Sequence, residues 1–335
     1  MWQSRRFTLG IFVLVLTFTA ASAQPRETSR LDDPAAVKTA HSNDPEACFD
    51  QALKLAKAGD DAQALPLLRR ATEIKSDWAE AYNILGALYA RSGSHQEAVE
   101  ALQRAIKLRP QYTVAYINLG RVQNTLGQSV EAIESFRQAI QLDPKNAETY
   151  YDLSGVYVSK KQWTEAITYA SKAIHLRPDY AEAYNDLGTS YYCLRLYTNA
   201  LEALKVARKL SPNVPVIYSN LGMVYIALNQ TQQAIDTLQR ALDLEPDSAT
   251  SLFLLGYAHL KTGSNRDAID NFEKAIALDP QMSAAYYNLG VLFLRFKEKQ
   301  RALEQYAVLK TQDPDLARKL QNMIFKDRIL AVNPR

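Results

Sequence analysis

The chain has 335 residues, 47% of them apolar and 22% charged. That is the balance of an ordinary globular protein and excludes a disordered, collagen-like or multi-span membrane chain. Lys and Arg number 39 and Asp and Glu 36, a formal net charge of +3, too balanced for a non-specific nucleic-acid binder. Two cysteines in this length exclude a disulfide-stapled scaffold and a cysteine-based zinc module.

Met1 to Arg6 is short and positive, Phe7 to Ala20 is mostly apolar, and Ala21-Ser22-Ala23 sets a small-x-small site before Gln24. This is the order of a secretory signal peptide over residues 1–23. The apolar run of about 14 residues falls short of the roughly 20 that a membrane helix needs. Cleavage is therefore expected to leave no stable membrane span, an uncleaved anchor being the alternative. The protein is expected to be exported, to the periplasm if bacterial and otherwise into the secretory pathway or outside the cell. Residues 24–44 are polar, with Pro25, Pro34 and Asp32-Asp33, and read as a flexible leader.

From Pro45 the chain repeats itself at a constant interval, with new starts at Ala79, Thr113, Ala147, Ala181, Pro215, Ala249 and Ser283 and no insertion. Counted from each start, position 20 is Ala in all eight repeats, from Ala64 to Ala302. Position 7 is Leu in seven, position 8 Gly in six, position 4 Tyr in six, position 27 Ala in seven and position 32 Pro in seven. Positions 4, 7, 8 and 11 share one face of a first helix, and positions 20, 24, 27 and 30 one face of a second. Gly at position 15 (Gly59, Gly93, Gly127, Gly263) ends the first helix, and Pro at 32 cannot continue the second. Small residues at 8, 20 and 27 mark where two helix backbones approach closely.

The first repeat is degenerate, with Cys48 at position 4, Gln51 at 7 and Ser76 at 32, and reads as a cap. After eight repeats over residues 45–314, residues 315–335 read as an amphipathic capping helix, apolar at Leu316, Leu320, Met323 and Ile324, followed by a tail.

This pattern resembles the tetratricopeptide repeat family, whose 34-residue helix–turn–helix units carry Leu-Gly, Ala and Pro at these positions. The resemblance implies an all-α fold, a right-handed α-solenoid superhelix of eight helix pairs plus the C-terminal capping helix, with the first helix of each pair on the concave side. No repeat is large enough for its own core, so each must stack on its neighbours.

No catalytic set, phosphate loop or metal-ligand spacing stands out. Of His41, His95, His175 and His259, the last takes the usual aromatic slot at position 11 and is expected to be a hydrogen-bonded core residue. The expectation is a protein without catalytic residues, cofactor or metal. Cys48 and Cys193 are four repeats apart, too far to pair given helix layers about 8–10 Å apart.

By resemblance, positions 2, 5, 6, 9, 12 and 13 point into the groove. Position 6 carries Asn118, Asp152, Asp186, Asn220 and Asn288, interrupted by Leu254. This series resembles the asparagine ladder in the repeat region of O-linked GlcNAc transferase, which implies hydrogen bonding to the backbone of an extended peptide. Tyr192, Ile226, Leu260 and Leu294 at position 12 and Tyr257 at position 9 suggest an apolar, aromatic C-terminal half of the groove. The N-terminal half is mildly acidic through Glu80, Glu148 and Glu182, opposed by Arg121. The Lys/Asn/Lys/Arg set of chaperone-tail binders is missing. The expected function is a non-catalytic scaffold binding an extended or helical segment of a protein partner, with no nucleic acid involved. A structural part of a cell-envelope complex, acting through self-association or the convex face, is the alternative; a regulatory arm of a glycosyltransferase-like enzyme is a third.

Overall fold

The computed structural model describes residues 43–325. The expected signal peptide, nearly all of the expected leader and the end of the tail lie outside the described residues. Seventeen α-helices and no strands are found among the described residues. In chain order they are α1 (Pro45–Ala58), α2 (Asp61–Ile74), α3 (Ala79–Arg91), α4 (His95–Leu108), α5 (Thr113–Thr125), α6 (Ser129–Leu142), α7 (Ala147–Ser159), α8 (Trp163–Leu176) and α9 (Ala181–Cys193). They continue as α10 (Tyr197–Leu210), α11 (Pro215–Ala227), α12 (Thr231–Leu244), α13 (Ala249–Thr262), α14 (Asn265–Leu278), α15 (Ser283–Arg295), α16 (Lys299–Gln312) and α17 (Pro314–Ile324). Every repeat start is the first residue of an odd-numbered helix. The chain forms two compact bodies, one running through Ser190 and the other from Tyr191.

Local chemistry sets the helix ends. The Asp44 carboxylate accepts hydrogen bonds from the amides of Glu46 at 3.1 Å and Ala47 at 3.4 Å, and Pro45 loses nothing at a position whose N–H has no helical partner. At position 15 the chain turns with a positive φ in every repeat. Gly59, Gly93, Gly127 and Gly263 take it freely, but Lys161, Arg195, Asn229 and Lys297 adopt φ of 57°, 62°, 61° and 63°. A side chain makes that conformation cost roughly 1–2 kcal/mol, so packing of the two helices imposes the turn.

The contact between paired helices runs through positions 8 and 24. A Cβ on Gly86 would lie 2.6 Å from Leu102 Cγ, on Gly120 2.8 Å from the Phe136 ring, and on Gly222 2.5 Å from Leu238 Cγ. In repeat 4 the sizes are redistributed: position 8 is Ser154, its hydroxyl donating to the Ala166 carbonyl at 2.9 Å, and position 24 shrinks to Ala170. In repeat 8 the space above Gly290 is taken by Leu320 of α17, 2.5 Å from where a Cβ would be, while α17 packs on both α15 and α16.

Within each body, second helices pack on the first helices that follow them: α2 on α3, α4 on α5, α6 on α7, then α12 on α13 and α14 on α15. First helices of successive repeats also meet, α3 with α5, α5 with α7 and α11 with α13, whereas second helices of successive repeats do not do so to the same extent. Each stack therefore curves with its first helices inside. Among the described residues no disulfide forms; Cys48 is buried and Cys193 half-buried. His259 is half-buried, and its Nδ1 is enclosed without a hydrogen-bond partner, so on that nitrogen the expected hydrogen bond is missing. Among the described residues no helix is long and apolar enough to cross a membrane.

Candidate functional site

The inner face of the first body is built by a device that recurs in repeats 1, 2 and 4. Each second helix ends at a basic residue in extended backbone, Lys75 at φ −119°, Arg109 at φ −137° and Arg177 at φ −133°. Pro110 and Pro178 follow the two arginines and bar the helical conformation there. A tight turn closes, with Tyr112 N–H donating to the Arg109 carbonyl at 3.1 Å and Tyr180 N–H to the Arg177 carbonyl at 3.3 Å. The turn slides an aromatic ring under each cation. Lys75 Nζ is 4.5 Å from the Trp78 ring centroid, and the guanidinium carbons of Arg109 and Arg177 are 4.9 Å and 4.0 Å from those of Tyr112 and Tyr180.

The same cations pair with the glutamate at position 2 of their own repeat: Lys75 with Glu46 at 2.7 Å, Arg177 with Glu148 at 3.1 Å, and Arg109 with Glu80. The partners are largely solvent-exposed, where water and salt screen an ion pair and leave it little weight in stability. Their effect is positional, since carboxylate, cation and ring hold one another in place.

Arg121, at position 9 of repeat 3, reaches into the next repeat. Its Nε donates to Asp152 Oδ2 at 2.6 Å and its Nη2 to Glu148 Oε2 at 3.5 Å. Burial pushes the Asp152 carboxyl up to about 6; Arg121 pulls it down and Glu148 adds to the rise. Asp186 sits one repeat further on. Burial pushes its carboxyl up to about 6 as well, opposed by hydrogen bonds from Asn185 and the Tyr151 hydroxyl and helped by Glu182. The Asn185 bond measures 3.3 Å, and the Tyr151 and Tyr180 rings lie 4.9 Å apart. Asn118 is half-buried and donates to Asn83 Oδ1 at 3.0 Å. Asn118, Asp152 and Asp186 thus join one charged and aromatic strip in the first body.

In the second body the inner face is different. Asn220 and Asn288 are only 5% and 4% exposed, and Asn288 Nδ2 donates back to the Ala284 carbonyl of its own helix at 2.8 Å. Ile226 is buried, whereas Tyr192, Tyr257, Leu260 and Leu294 are half-buried. Tyr192 lies 5.5 Å from the Tyr197 ring, and burial pushes its hydroxyl up to about 12. The residues of α11 are buried without a break from Ile217 to Ile226. A helix that is apolar nearly all round buries itself, so the apolar positions here serve packing before they offer surface.

Sequence reasoning missed the roles of Arg109, Arg177, Tyr112 and Tyr180. Their signal is a base at position 31 of a repeat that carries an acid at position 2, with an aromatic residue at position 34. Among the described residues no group of three or more His, Cys, Asp or Glu is placed to hold a metal ion.

The comparisons with known proteins agree with this architecture. Three family models described as tetratricopeptide repeat match, one at residues 79–145 and 214–281, one at 126–191 and one at 258–317. A model described as anaphase-promoting complex, cyclosome, subunit 3 matches residues 159–241. No curated protein matches significantly. Among solved structures, a chain of the APC/C hetero-tetramer Cut9-Hcn1 is similar at 19% identity and a TM-score of 0.62, over 84% of this chain and 56% of that one. The present chain thus spans little more than half that relative's length. A tetratricopeptide repeat protein from Parabacteroides merdae is similar at 16% identity and a TM-score of 0.58, over 70% and 93% of the two chains. PilF of Pseudomonas aeruginosa gives 21% identity and a TM-score of 0.56, over 66% and 96%. At such identities the likeness is one of fold. The constant repeat interval, the paired helices, the small residues where they touch and the matching family models, which together span more than half of the chain, lead to one conclusion: the chain belongs to the tetratricopeptide repeat family.

Proposed function

We propose that the inner face of the first body holds an extended segment of a partner protein, and that the protein acts as a non-catalytic recognition scaffold. Tetratricopeptide repeat proteins are generally protein-interaction scaffolds. The observation that carries the reading for this chain is the strip running from Glu80, Arg109 and Tyr112 through Asn118, Arg121 and Asp152 to Arg177 and Tyr180. Its charges and rings are braced against one another before any ligand arrives, and preorganisation of that kind lowers the entropic cost of binding. Backbone contact of the ladder type falls to Asn118, Asp152 and Asp186, because burial removes Asn220 and Asn288 from the surface.

A photoreactive amino acid at position 118 is expected to cross-link an identified partner, while the same group at Glu134, exposed on α6, does not. Cross-linking from 134 alone rejects the groove. The same reading places the protein in an exported compartment, the periplasm if the source is bacterial, on the order of charge, apolar run and small residues in Met1 to Ala23. The secreted protein is expected to begin at Gln24; N-terminal sequencing that finds Met1 removes that part.

A further inference from the structure

The repeats contain an internal template for one more bound group. In repeat 3 the Arg121 guanidinium bridges the carboxylates at positions 6 and 2 of repeat 4, Asp152 at 2.6 Å and Glu148 at 3.5 Å. Moved on by one repeat, the same two positions carry Asp186 and Glu182, but the place of Arg121 is taken by Gly155. A Cβ on Gly155 would meet nothing within 4 Å. In the middle of α7, where glycine weakens a helix relative to alanine, this residue has neither a close helix contact nor a positive φ to account for it. Glu182 is exposed and Asp186 half-buried, and among the described residues neither forms an ion pair. The acids at the corresponding positions of repeats 2 and 4 that matter for the strip, Glu80, Glu148 and Asp152, are all paired within the chain. Tyr151, where repeat 3 has Ile117, gives Asp186 one hydroxyl donor. An ionised carboxylate accepts about four hydrogen bonds, more than the Tyr151 and Asn185 donors supply.

We infer that Gly155, Glu182 and Asp186 form a socket for an arginine side chain of the partner protein, which takes the place that Arg121 takes one repeat earlier. This deepens the reading of the inner face as a recognition surface and rests on it. Arginine fits better than lysine because the template is a planar fork spanning two carboxylates, a geometry that a point-like ammonium does not reproduce. The partner thereby completes a pattern that the chain closes for itself in repeat 4.

The test uses the isotopically labelled full-length secreted chain, with acetyl-arginine amide as probe and its neutral isostere acetyl-citrulline amide as control. The arginine amide is expected to shift the Asp186 and Tyr151 resonances saturably and to lower the titration midpoint of Asp186; the citrulline amide is not. Gly155→Arg supplies the guanidinium from within and is expected to weaken the response at least about tenfold, and Asp186→Asn does the same by removing the acceptor charge. Equal responses to the two probes, an absent response, or an undiminished response in both variants overturns the socket. So does an Asp186 midpoint near the ordinary aspartate value in the free protein, since a basic residue of the chain itself would then fill the site. Cross-linking from position 118 that persists in Gly155→Arg alongside a failed arginine response rejects the socket and leaves the groove standing.

Discussion

Phe136→Ala is expected to destabilise the first body by about 3–5 kcal/mol, the range for deleting a fully buried phenylalanine. Phe136 is 1% exposed and lies among Ile117, Ile133, Leu153, Val156 and Tyr157, so its ring is shared between repeats 3 and 4. In a repeat stack, stability is close to a sum of repeat terms and nearest-neighbour terms, and this change removes some of each. Urea unfolding followed by the fluorescence of Trp78 and Trp163, both in this body, reads the effect. A loss below about 1 kcal/mol would show that the neighbouring helices collapse into the space. The contact predicts coupling as well. Alone, Gly120→Ala drives a methyl to 2.8 Å from the ring, whereas in the Phe136→Ala background that methyl has room, so the two losses should be less than additive.

Asp186→Asn is expected to act in the opposite direction, raising stability at pH 7 by about 2–3 kcal/mol while changing little near pH 3. The carboxyl titrates near 3.8 when unfolded and at about 6 when folded, a rise of roughly two units at about 1.4 kcal/mol each. Between those values the folded state binds more protons, so the wild-type protein loses stability as pH rises from about 4 to about 6 and is level above that. Glu182 reinforces the effect, and the donors Tyr151 and Asn185 moderate it. An amide keeps an acceptor for the tyrosine hydroxyl but carries no charge to desolvate. Thermal melts of the two proteins at pH 3.5, 5 and 7 provide the check. A variant less stable than wild type at pH 7 would mean that the carboxylate already has a cation. With the loss of arginine binding expected from the same substitution, this is the exchange of stability for function found at working sites.

The fold was legible because its cause is periodic. The constant spacing of Ala at position 20 and Pro at position 32 marks each helix pair, and the size exchange between Ser154 and Ala170 shows that positions 8 and 24 are read as a pair. The site was legible only in part. Periodicity assigns a residue to a face but not to a depth, so Asn118 and Asn220 share a position while Asn220 is buried on α11 and Asn118 half-open on α5. The triads of Glu80, Arg109 and Tyr112 and of Glu148, Arg177 and Tyr180 escaped because acid and base stand at opposite ends of a repeat and meet through a proline-directed turn. Arg121 was legible as a lone base opposing acids. That it joins two repeats follows from side-chain reach, which composition does not encode.

Leu320 seated above Gly290 bears on how such a protein could lengthen. A newly duplicated hairpin joined after α16 would have to displace α17 from both α15 and α16 and supply its own side chain to cover Gly290. Inside the array each Gly–Leu or Gly–Phe contact closes a hairpin on itself, so a copy gained or lost there carries that packing with it, whereas the last hairpin borrows its closing side chain from α17.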